Sequence, residues 1–285
     1  MIAINYVFAF FGLLIATITD LKNREVPDWL NYSLLSLGFG SALISWIQTS
    51  NYQFMVFSVL GFLAATIIAL IFYYAGQWGG GDAKMLMALG ALLGLELGRG
   101  IPTLIILLLN IFIVGAIYGS VFSVVLALKH KKEFKKAFSE LLLEKKNLFI
   151  RKIVLVIVIC CLALFFIIPI NLKVLILGFG AITFFVFYFY IYSKAVEKSS
   201  MEKFIPLEKL TEGDWVLETV YVNGKKICSP KSEGIEKEQI LKLLELKKYH
   251  KKSMIKIKEG IPFLPSFLIA FIVTLLIGNW FLMVI

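Results

Sequence analysis

From Leu30 to Gly81 the chain runs for 52 residues without a Lys, Arg, Asp or Glu. A soluble domain has no use for such a stretch. It is also too long for one crossing of a bilayer, which takes about 20 apolar residues. Five further charge-free runs, at residues 1–19, 100–128, 153–172, 174–193 and 260–285, can each cross once. Composition agrees, with 59% hydrophobic and 17% charged residues, against about 45–50% and 25% in ordinary globular proteins. A soluble enzyme of one or two domains, the reading that length alone would invite, is excluded.

Splitting the long run at its polar stretch, residues 48–53, yields eight predicted membrane helices. They fall at about residues 2–19, 30–47, 54–75, 85–97, 101–128, 153–170, 174–192 and 263–285. The lysine-rich loop 129–152 reads as an amphipathic helix on anionic lipid. Residues 193–259 form the one extended polar region, with a strand expected over Trp215–Val222, a tight turn at Asn223-Gly224, a strand over Lys225–Cys228 and a helix over Glu236–Tyr249. The expected fold class is an all-α polytopic membrane protein of about eight transmembrane helices with a small cytoplasmic α/β segment. The first helix has no basic residue ahead of it and no A-x-A site, so it reads as retained.

Short cytoplasmic loops collect Lys and Arg. With the N-terminus outside, 27 of the 29 basic residues fall on the cytoplasmic side, and only Arg99 and Lys173 face out. The net charge of +10 therefore points to lipid headgroups as partner, and no nucleic acid is expected. Cys160, Cys161 and Cys228 form no C-x-x-C pair, so neither a zinc ribbon nor a disulfide framework is indicated. His130 and His250 lie among lysines and read as solvated.

Acidic residues at the edge of hydrocarbon are costly, by about 2.5–3.5 kcal/mol for a central Asp on insertion scales. The orientation puts Asp20, closing the first helix, and Asp82, opening the fourth, on one membrane face. Singly, Asp82 and Asp28 could be helix caps and Asp20 a helix–water boundary. Together, two carboxyl groups suit an aspartic hydrolase, in which one takes a proton from water while the other polarises the scissile carbonyl. Gly79, Gly80 and Gly81 lack a Cβ, which admits an extended substrate backbone and permits φ > 0. Helix ends would bias the shared proton toward Asp20, at a C-terminus, and leave Asp82, at an N-terminus, as the resting base.

"GGGDAK", Gly79–Lys84, resembles the G-x-G-D signature of intramembrane aspartyl proteases, with the Lys typical of the type IV prepilin peptidase branch. "TDLKNREVPDWLN", Thr19–Asn31, is similar to that branch's first motif, and the spacing of the two aspartates is similar as well. "GIPFLPSFLIAF", Gly260–Phe271, behind a polar "GDW" segment at Gly213–Trp215, looks like the last helix of the archaeal prepilin and preflagellin peptidases. The resemblance implies a membrane endopeptidase that removes the short basic leader of a prepilin or preflagellin on the cytoplasmic side. By it, Asp20 and Asp82 are catalytic, Gly79, Gly80, Gly81 and Lys84 bind substrate, and neither metal nor cofactor takes part. No cysteine-rich insert stands between the first two helices, so methyltransferase activity is not expected.

The division that follows is a catalytic membrane domain at 1–128, a basic loop with two more helices at 129–192, a cytoplasmic segment at 193–262 and a final helix at 263–285. Two alternative readings share these features. A presenilin or signal-peptide-peptidase relative would carry a Tyr before the first Asp and a Pro-Ala-Leu near the end, where Thr19 and Pro262–Pro265 stand. A transporter would use the aspartates as ion or proton sites, but no inverted repeat supports it.

Overall fold

The computed structural model describes residues 2–98, 100–222, 225–230, 234–245 and 254–278. Ten α-helices are assigned in it: α1 (Ile2–Asn23), α2 (Asp28–Thr49), α3 (Gln53–Tyr74), α4 (Gly80–Leu93), α5 (Thr103–Lys129), α6 (Lys131–Leu143), α7 (Lys145–Ile167), α8 (Ile170–Val196), α9 (Lys237–Glu245) and α10 (Leu264–Leu276). Six of them, α1, α2, α3, α5, α7 and α8, are long and apolar enough to cross a membrane. The fold is a polytopic helical membrane protein, as its apolar runs require. α4, with 14 residues, and α10, with 13, rise only about 20 Å each at 1.5 Å per residue, less than the roughly 30 Å hydrocarbon core.

One compact unit comprises residues 1–121 and 204–285. In it α4 is gripped by α2 and α3 through small residues. A Cβ on Gly61 of α3 would stand 2.3 Å from the Gly90 carbonyl oxygen of α4, and one on Gly38 of α2 would stand 2.8 Å from the Ala91 carbonyl carbon. Helices that meet at backbone distance pack well in lipid, where no hydrophobic force drives them together. Asn5 of α1 donates its amide to the Leu92 carbonyl at 2.8 Å, and Ser58 of α3 donates to that of Ala91 at 2.7 Å. Across α5 and α10, Asn110 donates to Thr274 Oγ1 at 2.9 Å.

The polar part of this unit is a small α/β fold. Strands β1 (Glu202–Pro206), β2 (Trp215–Val216) and β5 (Met254–Lys258) form a sheet in the order β1-β5-β2, and β3 (Val220–Val222) pairs with β4 (Lys225–Cys228). β2 runs antiparallel to β5, with Trp215 opposite Lys258 and Val216 opposite Ile257. Leu207, Val216, Ile240, Leu243, Ile255 and Ile257 are buried in its core. The strand expected over Trp215–Val222 is therefore two strands in two sheets, broken at 217–219. The turn expected at Asn223-Gly224 and the ends of the helices expected at 236–249 and 263–285 lie outside the described residues.

The second unit, residues 122–203, holds α6, α7 and α8. α6 is amphipathic, as its charge pattern predicts, and α7 starts at Lys145, two turns before its charge-free run. Val154, Phe187 and Ile191 form this unit's core, Gly180 of α8 meets Cys161 of α7, and Lys198 pairs with Glu140 at 2.8 Å.

Candidate active site

Asp20 lies in the last turn of α1, which runs on to Asn23, four residues past the end expected at residue 19. It is 6% exposed. Its Oδ2 accepts the backbone N–H of Leu264, the first residue of α10, at 3.0 Å, and the Phe263 N–H also faces this carboxylate. Thr17, a turn earlier on α1, donates to the Leu264 carbonyl at 3.4 Å. Arg24, left-handed with φ 61° just past the helix, has its Nε 3.8 Å from Glu259 Oε1. The segment leading into α10 is thus pinned against the end of α1.

Asp82 is the third residue of α4. Gly79 is the N-cap, and its N–H donates to Asp82 Oδ2 at 3.0 Å. Asp82 is therefore not the N-cap itself, but its side chain satisfies one of the backbone donors that a helix start leaves open. Asp20 is near enough to act electrostatically on Asp82. Both carboxyl groups accept backbone N–H groups at helix starts, α10 for Asp20 and α4 for Asp82. The helix-end bias expected to place a proton on Asp20 is therefore opposed by α10, which supplies Asp20 with a backbone N–H as α4 supplies Asp82.

The glycine loop differs from expectation in its backbone. Gly79 has φ −73° and ψ 165°, open to any residue, and none of Gly79, Gly80 and Gly81 has positive φ. The left-handed glycine of this turn is Gly76, at φ 65°. What Gly81 does supply is close approach: a Cβ there would stand 3.0 Å from Cβ and Cγ2 of Val26, in the α1–α2 linker. Gly79 and Gly80 are exposed, with nothing nearer to a Cβ than 3.5 Å. Lys84 turns toward the first turn of α2, where its Nζ hydrogen-bonds Asp28 Oδ1 and lies 6.0 Å from the centre of the Tyr32 ring. Asp28 is accordingly an ion-pair partner at the first position of α2, behind Pro27, and not its cap.

Three residues not singled out from sequence sit here too. Trp78, 4% exposed, stacks on Phe72 at 4.6 Å and lies 5.4 Å from Phe267 and 6.1 Å from Phe263, anchoring the glycine loop to α3 and α10. Tyr118 of α5 lies within electrostatic reach of Asp20 and Arg24. Asn31 of α2, 2% exposed, has no hydrogen-bond partner for either side-chain atom among the described residues. Trp78, directly before three glycines, was the one legible signal, since a large ring beside a flexible loop needs a pocket.

Residues 7–120 match the type IV leader peptidase family. The chain is 36% identical over 89 residues to a preflagellin peptidase of Methanococcus maripaludis, covering 31% of this chain and 38% of that protein. It is 35% identical over 91 residues to a preflagellin peptidase of Methanocaldococcus jannaschii and 33% identical over 90 residues to one of Methanococcus voltae, each covering 32% of this chain and 38% of the relative. The matched segment thus spans less than half the length of these curated relatives. No solved structure matches the chain. The stretch that is similar to the type IV leader peptidase family, residues 7–120, contains Asp20, the α1–α2 linker, the glycine loop and Asp82.

Proposed function

We propose that the chain is an aspartic endopeptidase of the cell membrane that removes the short basic leader of a preflagellin- or prepilin-type precursor at the cytoplasmic face, with its N-terminus outside. The observation that carries this reading is that Asp20 of α1 lies near enough to act electrostatically on Asp82 of α4, each carboxyl group accepting a backbone N–H. The preflagellin peptidase names of the relatives support the substrate class. The basic residues of the polar segments support the sidedness and contact with lipid headgroups.

In this reading residues 1–128 carry the chemistry and water is the co-reactant. One carboxylate takes a proton from water as the oxygen attacks the scissile carbonyl carbon, and the protonated partner donates to the carbonyl oxygen. The tetrahedral intermediate then collapses, the C–N bond breaks and the leaving nitrogen takes a proton from the pair. The open Gly79 and Gly80 backbone lies beside Asp82 for an extended substrate, and Lys84 borders the same turn.

Co-expression with a preflagellin and with a prepilin, read by the size shift of each precursor, tests the reading. Asp20→Asn and Asp82→Asn are each expected to lower cleavage by at least about 10²-fold, the low end of what acid–base catalysis contributes, while the protein still inserts. Retained turnover in either purified variant overturns it, and precursors left whole by the wild type would favour an ion or proton site.

A further inference from the structure

Asp20 is not held by its own neighbourhood. Its buried carboxylate is met by the first turn of α10, 244 residues further along the chain, and no side chain supplies that contact. The donor is a backbone N–H, fixed in direction by the helix it starts and unable to swing away as a side-chain donor can. Pre-oriented donors of this kind set a charged group in place without reorganisation.

What lies upstream of this donor is equally fixed. β5 is the central strand of the β1-β5-β2 sheet, and its Ile255 and Ile257 are buried in the polar segment's core. From Lys258 only residues 259–263 lead to Leu264. Along that stretch Glu259 pairs with Arg24. Phe263 places its ring where a Cβ on Gly115 of α5 would stand only 2.6 Å from Cζ. The start of α10 is therefore keyed to α1, to α5 and, through a short connection, to the sheet.

We propose that the first turn of α10 is a positioning element for Asp20, and that the extramembrane sheet, through β5, holds that turn in register. This rests on the peptidase reading only for its kinetic arm. A partner that displaces the sheet would be felt at Asp20, and no loop need move within the site.

Leucine 264 offers a clean separation of backbone from side chain. Leu264→Pro deletes the N–H at the first helical position, where proline is well tolerated. Leu264→Ala removes the same side chain and keeps the N–H. In the purified full-length protein, isotope-edited infrared spectra report the Asp20 carboxyl band, assigned by its loss in Asp20→Asn. Leu264→Pro is expected to displace that band, and Leu264→Ala to leave it in place. With a preflagellin substrate, Leu264→Pro should lower kcat by about tenfold or more and leave KM within about twofold, the mark of an interaction used in the transition state.

Phe263, at ψ −22°, precedes this position and is disfavoured before proline, so a second variant guards against misfolding. Two glycines inserted between Glu259 and Gly260 keep every donor and uncouple β5 from α10, and are expected to displace or broaden the same band. A folded Leu264→Pro protein with the wild-type band overturns the positioning role, and an insertion that changes neither band nor kcat overturns the coupling. If Leu264→Pro does not fold, the insertion decides. A band displaced by Leu264→Pro, together with a wild-type protein that cuts no precursor, would sink the peptidase reading and leave the positioning element standing.

Discussion

Asn31 carries a buried carboxamide with four hydrogen-bonding sites and no partner among the described residues. Leaving such a group dry costs about 1–3 kcal/mol. Asn31→Leu, close in volume, is expected to raise the unfolding temperature, read by a thermal shift in detergent. Gly81 behaves oppositely. Its missing side chain is what lets α4 begin beside Val26, so Gly81→Val should abolish cleavage by forcing the linker away from the start of α4, while Lys84→Ala, which removes one exposed ion pair worth at most about 1 kcal/mol, loses less. Wild-type rates in Gly81→Val would show that the linker yields. The aspartates stood out in the sequence because each adjoins an apolar run, where a carboxyl group demands a reason. The Leu264 N–H was not, since every residue but proline carries one and only the fold says which is aimed at what.

Elements differ in what holds them. α4 is too short to span alone and depends on the glycine contact with α3, so Gly61→Val should cost about 1–3 kcal/mol or more as overpacking. Unfolding in denaturant, compared with Gly40→Val at a position open to space, measures it. In the polar segment, burial pushes the Asp214 carboxyl above its usual range; the Thr211 N–H, 2.8 Å from Oδ2, opposes this, and the Glu25 and Glu259 carboxylates add to it. The folded form then keeps this proton at pH values where the unfolded chain has lost it. The stability from this group is complete at acid pH and falls as pH rises through the folded range. Asp214→Asn should flatten that slope, followed by hydrogen exchange of β2 and β5. Period two over Trp215–Val222 predicted one strand, and two formed because β5, about 40 residues on in sequence, pairs with Trp215 and Val216 and reaches no further than the Leu217 N–H, while Val220–Val222 pairs with β4. Alternation reports that a segment can be a strand and is silent on its partner.

At the scale of the whole chain, the apolar runs announced the helices with little ambiguity, because hydrocarbon imposes length and polarity at once. The orientation rests on charge. An impermeant thiol reagent is expected to reach Ser50→Cys from outside and Lys209→Cys only after permeabilisation, both positions being exposed. Cys228 is buried and makes a poor reporter. Reversed labelling would turn the aspartates away from the cytoplasm. The bond between Asp20 and Leu264 also has a meaning in time. The donor lies more than 180 residues beyond Asp82, so a ribosome makes both aspartates well before it. On the proposed positioning role, a copy cut short before Leu264 lacks the clasp that sets Asp20 and is expected to cut no precursor.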